Sequence, residues 1–220
     1  MRKILLIEDR EHRQNYFLKQ VNINLDDYKE ILDNKIDDKY EEFIKDMQSD
    51  SFNLSVYDVI IAHQSIFINE YKKILGKLKN HCKDNHKALV LFSGGNGTSY
   101  IHDNYEELGL SSEVFYSQNL KLFLDDFELN NINIRILTYG NRWKLNIMLN
   151  ILEKINFFLD KNNGEDIDYD EFLIDTEADM LNNLDIKFYT MIIKNDEVLE
   201  SEVIKLKDDI LSHIKEMADE

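Results

Sequence analysis

Proline is absent from the chain, glycine occurs only 7 times in 220 residues, and there is a single cysteine. Each shortage excludes something. With no proline and little glycine, helices must be stopped mainly by Gly, Asn and Asp, so element boundaries are weakly marked, above all near the C-terminus. Cys82 alone cannot form an intrachain disulfide, which points to a reducing, cytoplasmic setting. No apolar run approaches the ~18 residues that would suggest a membrane span. Ile4 to Ile7, which follows Met-Arg-Lys, is too short for a secretory h-region of roughly 7 to 15 residues. Positive charge is also scarce: 26 Lys and Arg stand against 43 Asp and Glu, a net charge of -17. Such a field repels a phosphate backbone, so nucleic acid is not an expected partner and cationic surfaces are favoured. Lys72, Lys73, Lys77 and Lys79 read as the wet face of one helix rather than as a basic patch.

What remains is ample for a folded core, since 43% of residues are hydrophobic. The stretch Val56 to Ser65 is a nearly unbroken apolar run that ends in His63 and Gln64, the pattern of a central parallel strand buried on both faces. Lys3 to Ile7 reads as a second such strand with Glu8 and Asp9 at its carboxyl end, and Lys87 to Phe92 as a third, ending at Ser93. Weaker strands are expected at Tyr28 to Leu32 and at Glu113 to Tyr116. Helical spacing appears over Arg10 to Val21, through Tyr16, Phe17 and Val21, and again over Asp37 to Met47, Ile68 to Asn80 and Leu120 to Leu129. Alternation of strand and helix predicts an α/β fold with a doubly wound parallel sheet. In such sheets ligands bind beyond the carboxyl ends of the strands, so Glu8, Asp9, His63, Ser93 and Ser117 are the expected crevice residues.

Residues 2 to about 128 resemble the receiver domains of response regulators, the phosphoacceptor modules of two-component signalling. The resemblance is carried by Lys3-Ile4-Leu5-Leu6-Ile7-Glu8-Asp9, by Tyr57-Asp58-Val59-Ile60-Ile61-Ala62-His63 and by Leu89-Val90-Leu91-Phe92-Ser93. It implies a flavodoxin-like fold, with a doubly wound five-stranded parallel sheet of order 2-1-3-4-5, an acidic pair for Mg²⁺ at Glu8 and Asp9, and a switching hydroxyl at Ser93. Two parts depart from the family. His63 stands at the phosphoacceptor position, where the family has Asp, and Ser117-Gln118-Asn119 stand where it has Lys. An acyl phosphate needs a carboxylate nucleophile, a bridging cation and a facing ammonium group, so the resemblance implies a pseudo-receiver without the phosphorylation switch. Phosphorylation of His63 itself is disfavoured because nothing in the pattern supplies positive charge to face the phosphoryl oxygens.

Other constellations are weaker. Glu8, Asp9 and His63 together could hold a divalent metal, and two carboxylates with an imidazole suit Mn, Fe or Zn better than Mg. The plainer reading is that the acids cap the following helix and His63 donates a hydrogen bond at its strand end. Gly94 to Ser99 is the one glycine-dense loop, but it lacks the lysine and spacing of a Walker loop and reads as a flexible connection. His81, Cys82 and His86 have no second ligand pair and read as a helix end. Asp160 to Phe172 resembles a calcium loop, yet Gly164 is fifth where the sixth position needs glycine, so a solvated acidic turn is the better account.

Beyond the receiver-like part, residues 129-161 are expected to form a linker and a long helix packing on the sheet, and residues 162-220 an acidic, mostly helical extension. The long helix, Asn141 to Asp160, is apolar on more than one stripe and needs cover on two sides. Helices are expected at Glu171 to Leu184 and Glu197 to Met217, with Ile186 to Ile193 ambiguous between helix and strand. Trp143, Ile147, Ile151, Leu199, Val203, Leu206 and Ile210 are the expected interaction surface. The function this supports is that of a non-enzymatic regulatory module in bacterial-type signalling, contacting a protein partner or a second copy and needing no cofactor. The alternative is a metal- or nucleotide-dependent enzyme or ligand sensor built on Glu8, Asp9, His63 and Ser93.

Overall fold

The computed structural model describes residues 3–68, 71–95, 97–102, 105–128, 132–162 and 200–219. The chain divides into two compact units, Met1–Asn141 and Arg142–Glu220.

The first unit is built on the apolar runs. Strand β1 (Ile4–Ile7) is followed by helix α1 (Glu11–Val21), β2 (Leu32–Lys35), α2 (Asp38–Gln48), β3 (Val59–His63), α3 (Lys72–Asp84) and β4 (Ala88–Ser93). Then come β5 (Ser99–His102), β6 (Glu106–Ser111), α4 (Ser112–Phe115), α5 (Gln118–Glu128) and α6 (Ile136–Tyr139). The sheet order is β2-β1-β3-β4-β6-β5. Five strands are parallel, in the expected order 2-1-3-4-5 when counted without β5, and β5 is added antiparallel at the β6 edge. Every residue of β1 and β3 is buried. That is why both strands read as continuous hydrophobic runs rather than alternating ones. Between the sheet and one helical layer lies a core in which Leu5, Ile7, Ile60, Ala62, Leu89 and Leu91 meet Phe43, Ile44 and Met47 of α2 and Ile74, Leu78 and Cys82 of α3.

Several expected elements lie elsewhere. Glu113 to Tyr116 is not a strand: Ser112–Phe115 is the short helix α4, and Ser111 caps it by accepting from the Val114 amide at 3.2 Å. A serine followed by an acid in the first turn is a helix-start signal, and it overrides the β propensity of Val114 and Phe115. The fifth parallel strand is Glu106–Ser111, where Leu108 and Leu110 alternate inward around Gly109. A Cβ on Gly109 would crowd the Ser99 hydroxyl across the β5–β6 pair, so glycine leaves that side chain its place. Tyr28 to Leu32 is likewise not a strand. Asn24 Oδ1 accepts from the Asp26 amide and starts a 3₁₀ turn over Leu25–Tyr28, and β2 begins only at Leu32. On α1 the buried positions are Gln14 and Leu18, while Tyr16 is exposed. The helix after β3 begins at Lys72 because Gln64–Phe67 first forms a 3₁₀ turn.

In the second unit, helix α7 (Trp143–Asn162) packs against helix α8 (Glu200–Asp219). Ile147, Met148, Ile151, Leu152 and Ile155 of α7 are buried, as are Val203, Leu206 and Ile210 of α8. These steps of three and four residues form one stripe on each helix. Five residues of the expected interaction surface, Ile147, Ile151, Val203, Leu206 and Ile210, are therefore covered within the chain and offer no open face. Trp143 is half-buried, and Leu199 lies outside the described residues. Also outside them are most of the calcium-like loop, the helix expected at Glu171 to Leu184 and the ambiguous segment Ile186 to Ile193. No described helix is long and apolar enough to cross a membrane.

Candidate functional site

Register alone brings the candidate residues together. Ile7 pairs with Ala62 and His63 with Phe92, so Glu8, His63 and Ser93 emerge side by side at the carboxyl edge of neighbouring strands. Glu8 is fully buried and His63 is 2% exposed, whereas Asp9 is only partly buried. One oxygen of each of the two acids and one ring nitrogen of His63 lie within 4.8 Å of one another.

A guanidinium group stands among them. Arg13 Nη2 donates to Glu8 Oε1 and, at 3.1 Å, to Asp9 Oδ1, so a single nitrogen bridges both carboxylates. Glu8 Oε1 also accepts from the Arg10 amide at 3.1 Å. The other oxygen, Oε2, accepts from the Tyr116 hydroxyl at 3.1 Å. His63 Nδ1 lies 3.3 Å from Asp9 Oδ1 and 2.7 Å from Ser65 Oγ. His63 also packs against Phe92, with ring centroids 5.3 Å apart.

In ligand type Glu8, Asp9 and His63 would suit a borderline divalent metal. In geometry, the bridging position between the carboxylates is taken by Arg13 Nη2, so a metal would have to displace a partly buried ion pair. The expectation that no positive charge faces this edge is corrected here. A cleft of about 470 Å³ opens beside it, walled by Arg10 and Arg13, by His63 at the end of β3 with Gln64 and Ser65 beyond it, by Ser93 at the end of β4 with Gly94 and Gly95 beyond it, and by Ile68. No lysine and no carboxylate is among these described walls.

Burial pushes the Glu8 carboxyl above its usual range, with Arg13 pulling the other way. Burial would raise Asp9 too, but hydrogen bonds from His63 and Glu8, and the charges of His63 and Arg13, hold it well below the ordinary carboxylate range. Burial raises the Tyr116 hydroxyl far above normal, which keeps it a donor to Glu8. The two acids therefore impose opposite pH slopes on stability. Asp9, lowered in the fold, contributes stability that is present above its unfolded value of about 3.9 and is lost as pH falls below it. Glu8, raised in the fold, contributes at low pH and loses that contribution as pH rises through its folded value. Urea melts across a pH series should show Asp9→Asn flattening the acid limb and Glu8→Gln flattening the opposite one. A single common slope for both variants would contradict the assignment.

Ser117, expected in the crevice, lies past α4, where its Oγ accepts from the Asn119 amide at 3.2 Å. The fifth parallel strand ends at Ser111, and no lysine is among the described residues that wall the cleft. Asp58 sits at the opposite end of β3, paired with Lys87 at 3.3 Å, and Lys121 pairs with Asp125 at 2.7 Å on α5. Arg10, Arg13 and Tyr116 are the site residues that sequence reading misses. Arg13 had a signal in its four-residue spacing from Asp9; Tyr116, 108 residues from Glu8, had none. No family model, curated protein or solved structure matches this chain.

Proposed function

We propose that this protein is a pseudo-receiver: a non-enzymatic regulatory module of bacterial-type signalling that acts through protein contacts and is not switched by aspartyl phosphorylation. The observation that carries the reading is the composition of the β1–β3 edge. A buried imidazole stands where the acyl phosphate would form, and an internal guanidinium neutralises the acidic pair that would otherwise hold Mg²⁺. His63 offers no carboxylate for acyl transfer, and its Nε2 is sealed from solvent. The alternative, a metal-dependent enzyme on the same residues, draws on the convergence of three donor groups, but Arg13 stands against it.

Incubation with acetyl phosphate and Mg²⁺, followed by intact mass measurement, is expected to leave the mass unchanged. A stable adduct of one phosphoryl group would overturn the reading.

A further inference from the structure

The cleft beside the acidic pair is anomalous for this chain. A protein of net charge -17 would be expected to wall its clefts with carboxylates, yet the described polar walls here are arginines, a histidine, an amide, serines and the glycine turn. Every one of them can donate a hydrogen bond, from side chain or backbone. We propose that this cleft is a noncovalent binding site for a small phosphate-bearing molecule.

Four features support that ligand class. Arg10 is largely exposed at 63% and pairs with Asp9 only at 3.5 Å, so its fork is available to a doubly charged oxyanion, which guanidinium groups bind in bidentate fashion. Ser65 and Ser93 bring hydroxyls from two adjacent strand ends, and Gly94 and Gly95 meet nothing within 4 Å where a Cβ would sit, so their backbone can be approached closely. Arg13 Nε and His63 Nε2 are buried and have no hydrogen-bond partner. Orphaned buried nitrogens are uncommon in folded proteins, and here two belong to walls of the same cleft. Arg13 Nε is a donor in every form of the guanidinium, and an anion seated in the cleft would supply the acceptor it lacks. The volume, about 470 Å³, falls in the range of roughly 300–1,000 Å³ usual for small-molecule sites and leaves room for an organic portion beyond the phosphate.

This inference rests on the reading above, in that the phosphate stays a ligand and never becomes a substituent of the protein. Titration calorimetry of the full chain with inorganic phosphate, and separately with ribose 5-phosphate, is expected to show saturable binding of one equivalent that weakens as salt is added. Arg10→Ala should weaken it about tenfold and Ser93→Ala severalfold, while Lys121→Ala, on α5, should leave it unchanged. Tighter binding of the ester assigns the site to an organic phosphate; equal affinity assigns it to the free ion. Absence of saturable binding up to about 10 mM, or equal binding by wild type, Arg10→Ala and Ser93→Ala, would overturn the inference. Because inorganic phosphate cannot donate a phosphoryl group, that failure is distinct from a covalent adduct with acetyl phosphate, which would instead sink the pseudo-receiver reading.

Discussion

Replacing Arg13 with alanine should destabilise the protein by about 3 kcal/mol near neutral pH, one of the two largest effects expected of any single change at or around the site. Glu8 is fully buried, and Arg13 is the side-chain cation that contacts it. Removing the guanidinium leaves a carboxylate with the Tyr116 hydroxyl and the Arg10 amide for partners, and an uncompensated charge in that setting is costly. The orphaned acid escapes by binding a proton. The deficit of Arg13→Ala should therefore shrink as pH falls, and Glu8→Gln in the same background should recover part of the loss at neutral pH. Urea unfolding at several pH values measures both. A loss below about 1 kcal/mol that does not change with pH would mean that the pair is as weakly coupled as a surface ion pair.

Phe92→Ala is expected to cost still more, about 3–5 kcal/mol, the usual range for truncating a buried aromatic. Phe92 is fully buried and stacks on Phe115 with centroids 4.3 Å apart, while Tyr116 meets it edge-on at 5.4 Å. It therefore joins β4 to α4 and supports the tyrosine that donates to Glu8. The midpoint of urea unfolding should fall sharply with little change in slope, whereas Val56→Ala, at a residue 47% exposed, should stay within about 0.5 kcal/mol of wild type. Comparable losses at the two positions would show that this aromatic cluster does not hold the edge together.

The features legible in the sequence share a physical origin. Ile4–Ile7, Val59–His63 and Ala88–Phe92 are buried on both faces, so hydrophobicity alone marks them. Parallel connectivity then fixes Glu8, Asp9, His63 and Ser93 at one edge, because residues that follow neighbouring parallel strands must emerge together. Glu106–Ser111 was illegible for the opposite reason: it opens with two acids, and only Leu108 and Leu110 mark its buried face. Val114 and Phe115 looked like strand residues because propensity is blind to the Ser111 cap. Within the site, whatever comes from a strand end could be read and whatever comes from a helix face could not. Arg13 reaches the acids by the phase of α1, and Tyr116 by the way α4 packs against β4, neither of which periodicity of a single segment reveals. Of the residues expected to meet a partner, Ile147, Ile151, Val203, Leu206 and Ile210 do fall on apolar stripes, but a stripe does not say what covers it, and these five are buried within the chain, where α7 and α8 pack together.

The antiparallel addition of β5 has a kinetic consequence. Each parallel pairing in this sheet joins strands separated by a crossover, so the chain must close a long loop before that pairing yields any contact energy, which slows the search for the native topology. β5 and β6 are antiparallel partners and neighbours in sequence, so they can associate on the microsecond scale of about 1–10 μs typical of hairpins. Among the described strands this pair alone can form from its own neighbourhood, which makes the β5–β6 edge a candidate early event in folding, with the central strands assembling onto the sheet afterwards.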